Sequence, residues 1–161
     1  MEGVVLIRNG LDASRSTLLR ILRGGATDGA IPEVPRDPLR WRPAPGSHSV
    51  GELLWHVADV EDKWVTERVL GQSYRPRYQT RPFDPEAVLP PWTDLIRYLE
   101  ESRAQTLDAL EKMGEPALNR PVEFLRRTTT LGQVYTTLIH HEGYHTGQIA
   151  HILGLIRRAG W

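Results

Sequence analysis

The segment spanning residues 130–156 decides the fold of this 161-residue chain and reads TLGQVYTTLIHHEGYHTGQIAHILGLI. Its apolar and histidine positions recur every three or four residues, which is the spacing of one face of an α-helix. These positions are Val134, Leu138, His141, His145, Ile149, Ile152 and Ile156. Thr130 and Gln133 form the Ser/Thr-x-x-Glu/Gln pattern of a helix N-terminus. The segment therefore predicts a long amphipathic helix with two histidines on its inner face.

Three more segments show the same periodicity and predict helices near residues 4–22, 49–71 and 91–114. The second opens with a capping box, Ser49-Val50-Gly51-Glu52. The connection at residues 26–47 is so rich in proline that it predicts a loop without a helix, and residues 121–127 are the only short strand candidate. Four helices with two long crossovers predict an all-α fold, a four-helix bundle, with residues 1–161 forming a single domain.

The composition limits the partners and the chemistry of the protein. Lys plus Arg and Asp plus Glu both number 20, so the net charge is zero and no basic field is present to attract nucleic acid. The absence of cysteine excludes disulfides, thiolate zinc sites and a cysteine nucleophile. The apolar run Val4–Ile7 is too short for a signal peptide or a membrane span. We therefore expect a cytoplasmic protein with no nucleic-acid or membrane partner.

Three histidines on inner helix faces predict a metal site. His141 and His145 are four residues apart and stack on one face of the last helix. His56 lies on the inner stripe of the second helix, between Leu53 and Val60. Three histidine ligands leave a coordination position open for water or substrate, as catalytic zinc sites do. The alternative interpretation is that the three are core histidines, with any metal structural or absent.

Two other metal motifs fit less well. His141-Glu142-x-x-His145 matches the H-E-x-x-H pattern of zinc proteases, but Gln148 stands where the extended motif needs glycine. On an unbroken helix His151 also projects away from the His145 face. A di-iron site needs two Glu-x-x-His pairs, and Glu142-x-x-His145 supplies one.

Residues 49–61, SVGELLWHVADVE, and residues 141–149, HEGYHTGQI, resemble two helix motifs of the DinB/YfiT-like family of metal-dependent enzymes. The order and spacing of all four helices agree over nearly the whole chain. The resemblance implies a bundle holding one divalent ion, commonly nickel or zinc, through His56, His141 and His145. It also implies a homodimer and chemistry that depends on a low-molecular-weight thiol.

Several polar residues are candidates for roles beside the metal. Glu142 is a candidate general base, and Gln148 a candidate hydrogen-bonding group near the open position. Asp59 and Glu52 could orient the His56 ring from one turn away. A basic loop could bind an anionic co-substrate through Arg75, Arg77 and Arg81, with Tyr74 and Tyr78.

The expected function is metal-dependent chemistry on a small molecule. A divalent ion (zinc, nickel or iron) would activate either a thiol for transfer or a water for hydrolysis, and the sequence does not choose between these reactions. A non-catalytic bundle with a structural metal, or none, is the alternative from another class.

Overall fold

The computed structural model describes residues 2–24 and 36–160, and it is mostly helical. In chain order the helices are α1 (Glu2–Leu22), α2 (Arg36–Arg40), α3 (Val50–Trp64), α4 (Trp92–Ala117) and α5 (Leu131–Arg158). One π-helical turn, Val65–Val69, extends α3. A short hairpin of β1 (Pro121–Phe124) and β2 (Arg127–Thr130) precedes α5. The all-α prediction is confirmed at this level.

Local sequence signals set the helix ends. Ser49 accepts a hydrogen bond from the Glu52 N–H while the Glu52 carboxylate accepts one from the Ser49 N–H, so the predicted capping box is present. At α5 the Thr130 side chain accepts from the Gln133 N–H. Gly114 has φ 66° and interrupts α4 at its predicted end, after which the helical chain resumes as far as Ala117.

Two connections differ from the prediction. Helix α2 lies inside the proline-rich connection, where we expected no helix. Its Pro38 is in the first turn, where a missing N–H costs no intrahelical hydrogen bond. Residues 25–35 of the same connection lie outside the described residues. Within the strand candidate at 121–127, residues 121–124 form one arm of a hairpin that turns at Leu125 and Arg126, which have φ of 50° and 64°.

The long helices pack so that α3 contacts α4 and α5, while α1 contacts α5 and α4. Their apolar faces form two separate clusters of buried residues. The first includes Leu18, Leu54, Trp55, Leu95, Leu99 and Ile149. The second includes Leu11, Val65, Ala109, Leu110, Val134 and Leu138.

A layer of buried charged residues lies between the two clusters. On each long helix one charged residue stands between the apolar residues of one cluster and those of the other. The four are Arg15 on α1, Glu61 on α3, Arg103 on α4 and Glu142 on α5, and each is at most 7% exposed. None of the described helices is long and apolar enough to cross a membrane.

Candidate metal centre

The structure brings the three predicted histidines together. His56 comes from α3, and His141 and His145 come from neighbouring turns of α5. One nitrogen from each ring can be chosen so that all three lie within 4.8 Å of one another. The Nε2 atoms of His56 and His141 are 3.1 Å apart. All three side chains are partly buried, so the cluster lies at the edge of the packed interior.

The donor set fits a divalent ion. Zn–N bonds of about 2.0–2.1 Å at tetrahedral angles place two ligand nitrogens roughly 3.3 Å apart, close to the 3.1 Å between His56 and His141. The Nδ1–H of His145 donates to Gln148 Oε1 at 2.7 Å. In the neutral ring this bond leaves the Nε2 lone pair of His145 free to bind a cation.

The protonation states also suit metal binding. Burial, together with the nearby charges of the other two rings, lowers the pKa of His56 to about 3. Burial and the charge of His145 lower the pKa of His141 to about 4. Burial also lowers the pKa of His145, although its hydrogen bond to Gln148 opposes the shift. The rings are therefore neutral at pH 7, which is the form that ligates a metal.

Aromatic rings pack around the cluster. Phe83 lies against His56, with ring centroids 4.6 Å apart, and stacks on His48 at 4.0 Å. The ring centroids of Trp64 and His141 are 5.5 Å apart. Sequence reasoning missed Phe83 and His48 because both lie outside the main helices, where no periodicity indicates a direction. These contacts cover part of the surface of the His56 and His141 rings.

Glu142 does not face the histidines. Its carboxylate accepts hydrogen bonds from Arg15 Nε, Arg103 Nη2 and Ser14 Oγ, and the residue is 2% exposed. Burial opposes ionisation, but the positive charges of Arg15 and Arg103 outweigh it, so the pKa is lowered. A carboxylate held by two guanidinium groups is poorly placed to take a proton from a substrate, so this geometry does not favour the expected base role.

The buried charged layer is fully paired. Glu61 accepts from Arg15 Nη2 and from Arg103 Nε, each at 2.7 Å. The remaining guanidinium nitrogens donate to the carbonyl oxygens of Leu99 and Leu11. Arg15 and Arg103 interrupt apolar helix faces, and this pattern in the sequence could have predicted the layer.

Gln148 contacts the cluster through His145, whereas other polar candidates have their partners elsewhere. Asp59 accepts a hydrogen bond from the Tyr74 hydroxyl, and Glu52 is paired with Arg42 in addition to capping α3. In the basic loop, Arg77 lies over the Tyr98 ring at 4.2 Å and pairs with a carboxylate of α4. Arg75 and Arg81 are exposed. These contacts tie the second crossover, residues 74–91, to α3 and α4.

The fold and the site together define a helical protein with a candidate three-histidine metal centre. The sequence model of the DinB superfamily matches residues 11–149, a span that contains all three histidines. The chain therefore belongs to the DinB superfamily. No curated protein matches it.

Proposed function

We propose that the protein is a metal-dependent enzyme acting on a small molecule, with one divalent ion held by His56, His141 and His145. The convergence of three neutral, partly buried imidazoles supports this proposal most strongly. Among the described residues the group contains three potential ligands rather than the four that close a typical structural zinc site. The set therefore favours an ion with a position left for substrate.

The protein's own side chains have separable tasks at this centre. Gln148 fixes the tautomer and the direction of the His145 ring through its 2.7 Å hydrogen bond. Phe83 and Trp64 limit water around His56 and His141. A divalent ion with an open position supplies Lewis acidity and makes a coordinated water or thiol more acidic. Transfer of a low-molecular-weight thiol to an electrophile and hydrolysis are the two reactions we propose to test.

The wider assignments are proposals of the same standing. The four long helices, α1, α3, α4 and α5, would form the four-helix bundle expected from the sequence, as one domain over residues 1–161. A cytoplasmic homodimer without nucleic-acid or membrane partners accords with the balanced charge of the chain. Zinc, nickel and iron all suit imidazole ligands.

Elemental analysis of the tag-free protein tests the metal site. We expect about one zinc, nickel or iron ion per chain. The double variant His56→Ala, His141→Ala should lose this ion, and circular dichroism should show that it keeps its helices. His140→Ala is the matched control, because His140 is exposed and adjacent to His141 on α5. A parent protein that takes up none of these ions after reconstitution would contradict the proposal.

Turnover assays then test catalysis. The metal-loaded protein is incubated with chlorodinitrobenzene and a series of low-molecular-weight thiols, and separately with ester and amide substrates. We expect metal-dependent turnover in one series, retained by His140→Ala and lost in the double variant. Full metal occupancy with no turnover in either series would instead support a structural metal.

A further inference from the structure

An open cleft of about 670 Å³ lies beside the histidine cluster. One wall is the segment from Pro43 to His48, and the other is the exposed face of α5 from Tyr144 to Ile152, with Leu53 of α3 between them. A volume of this size falls in the range of sites that bind small organic ligands, roughly 300–1,000 Å³. The cleft can therefore hold a complete small molecule rather than only its reacting group.

The cleft and the candidate metal centre share side chains. Gln148 lines the cleft and also accepts the hydrogen bond from His145. Tyr144 lines it too, and its ring centroid is 5.1 Å from that of His145. On the opposite wall His48 stacks on Phe83, which packs against His56. A molecule in the cleft would consequently lie next to the rings proposed to hold the ion.

Few ionisable groups line the cleft. None of the described residues that line it carries a carboxylate, guanidinium or ammonium group, and its imidazoles are those of His48 and His151. Its surface is mostly apolar, with contributions from Pro43, Leu53 and Ile152. A charged ligand would lose hydration over this mostly apolar surface, and the described lining offers no carboxylate to a cation and no guanidinium or ammonium group to an anion, which opposes binding.

Glycine on α5 keeps this space open. Gly147 lines the cleft, and a Cβ atom added there would meet nothing within 4 Å. Gly143, one turn earlier on the same helix, has equally open surroundings but does not line the cleft. The two glycines therefore allow a side chain to be placed inside or outside the cleft at comparable cost to the fold.

We propose that this cleft binds the body of the substrate, and that the substrate is an uncharged, largely apolar small molecule whose polar end reaches the histidine cluster. The role of the bound molecule as substrate rests on the proposed function, whereas its binding in the cleft does not. A charged thiol co-substrate would have to approach the histidines from outside this cleft.

Three naphthalene probes of one size test the charge preference: neutral 2-naphthalenemethanol, anionic 2-naphthoate and cationic 2-naphthylmethylamine. Binding is measured by titration calorimetry on the full-length protein as purified, and again after chelator treatment so that the carboxylate cannot ligate an ion. We expect the neutral probe to bind at least about tenfold more tightly than either charged probe in the chelated protein. Equal or tighter binding of a charged probe would overturn the proposal.

Two leucine variants test the location. Gly147→Leu places a bulky side chain in the cleft and should weaken binding of the neutral probe about tenfold or more. Gly143→Leu should leave it unchanged, and both variants should keep the metal content of the parent. Parental affinity in Gly147→Leu would overturn the assignment of the cleft. If circular dichroism shows that this variant has lost helix, Gly147→Ala replaces it, with an expected loss of about twofold to threefold from one added methyl group.

The same data separate the two proposals. A protein without metal that still binds the neutral probe in a Gly147-dependent way would contradict the proposed function and leave the cleft assignment intact. If the protein is metal-loaded and active but its affinity for the neutral probe is unchanged by Gly147→Leu, only the cleft assignment is contradicted.

Discussion

Two groups of polar side chains lie close together inside this protein, and they differ in how their atoms are satisfied. In the buried charged layer every guanidinium nitrogen of Arg15 and Arg103, and every carboxylate oxygen of Glu61 and Glu142, has a partner within the protein. In the histidine cluster the ring nitrogens face one another instead. The first group is complete without a ligand, whereas the facing ring nitrogens of the second could hold a cation.

Neighbouring positions on α5 serve these two purposes. His141 belongs to the cluster and Glu142 to the charged layer, because successive helical residues point about 100° apart. A charged group at the centre of a packed core thus need not belong to the reactive site. A set of facing ring nitrogens indicates a candidate binding site, whereas a set of charges fully paired within the protein indicates a structural role.

The largest effect is expected from breaking the charged layer. Arg103→Met removes one cation and leaves Glu61 and Glu142 buried with too little positive charge, which should lower the free energy of unfolding by about 3–5 kcal/mol. Urea denaturation followed by circular dichroism measures this change. Arg8→Met is the control, since the Arg8–Glu111 pair is exposed and its loss should cost less than about 1 kcal/mol. Similar losses in the two variants would show that the layer is not the structural centre we infer.

The histidine cluster should stabilise the fold only when an ion occupies it. Zinc at about one hundred times its dissociation constant should raise the free energy of unfolding by about 2.7 kcal/mol, because the ion binds the folded chain. Thermal unfolding with and without zinc measures the gain, which His140→Ala should retain. A full gain in the double variant His56→Ala, His141→Ala would place the binding site elsewhere.

The rise in the free energy of unfolding that zinc produces should disappear in acid over a defined range of pH. A lowered pKa means that the ring stays unprotonated to lower pH, so protons displace the ion only as the pH falls towards the values near 3 for His56 and 4 for His141. We expect zinc to remain bound at about pH 5.5 and to be released between about pH 4 and pH 3, below the range near pH 6.5 in which exposed imidazoles titrate. Dialysis at stepped pH followed by elemental analysis checks this, and half-release near pH 6.5 would mean that the cluster is not protected as the structure indicates.

Much of this arrangement follows from local patterns in the sequence. The helical spacing and the Ser49 capping box predicted the long helices, and the inner faces predicted that His56 would approach His141 and His145. Each of these signals is carried within one helix, so one sequence is enough to detect it. The way the long helices pack against one another, and the identity of an ion that the histidines would hold, are not carried by such patterns.

Contacts between distant segments explain what was missed. The periodicity of α5 shows that Glu142 is near the core, but the partners of its carboxylate come from α1 and α4. The position of Phe83 over His56 depends on the course of the second crossover, which has no period of its own. The roles expected for Glu142 and Asp59 rested on their nearness to a histidine in the sequence. In the structure, the rotation of α5 directs Glu142 towards Arg15 and Arg103, and the loop after α3 brings Tyr74 to Asp59.

The smallest expected effect concerns Gln148, whose side chain is, among the described residues, the group outside the cluster that forms a hydrogen bond with one of its rings. Gln148→Ala removes the acceptor that holds His145 Nδ1–H, so the ring can rotate and take the other tautomer, and zinc affinity should fall about 10–100-fold. Competition with a chromophoric chelator measures the affinity. Tyr144→Phe is the control, because it removes only the long 3.4 Å contact to the Gln148 amide and keeps the bond to His145. Unchanged affinity in Gln148→Ala would show that packing alone orients His145. The candidate metal centre would then consist of the three rings alone, without a supporting hydrogen bond from Gln148.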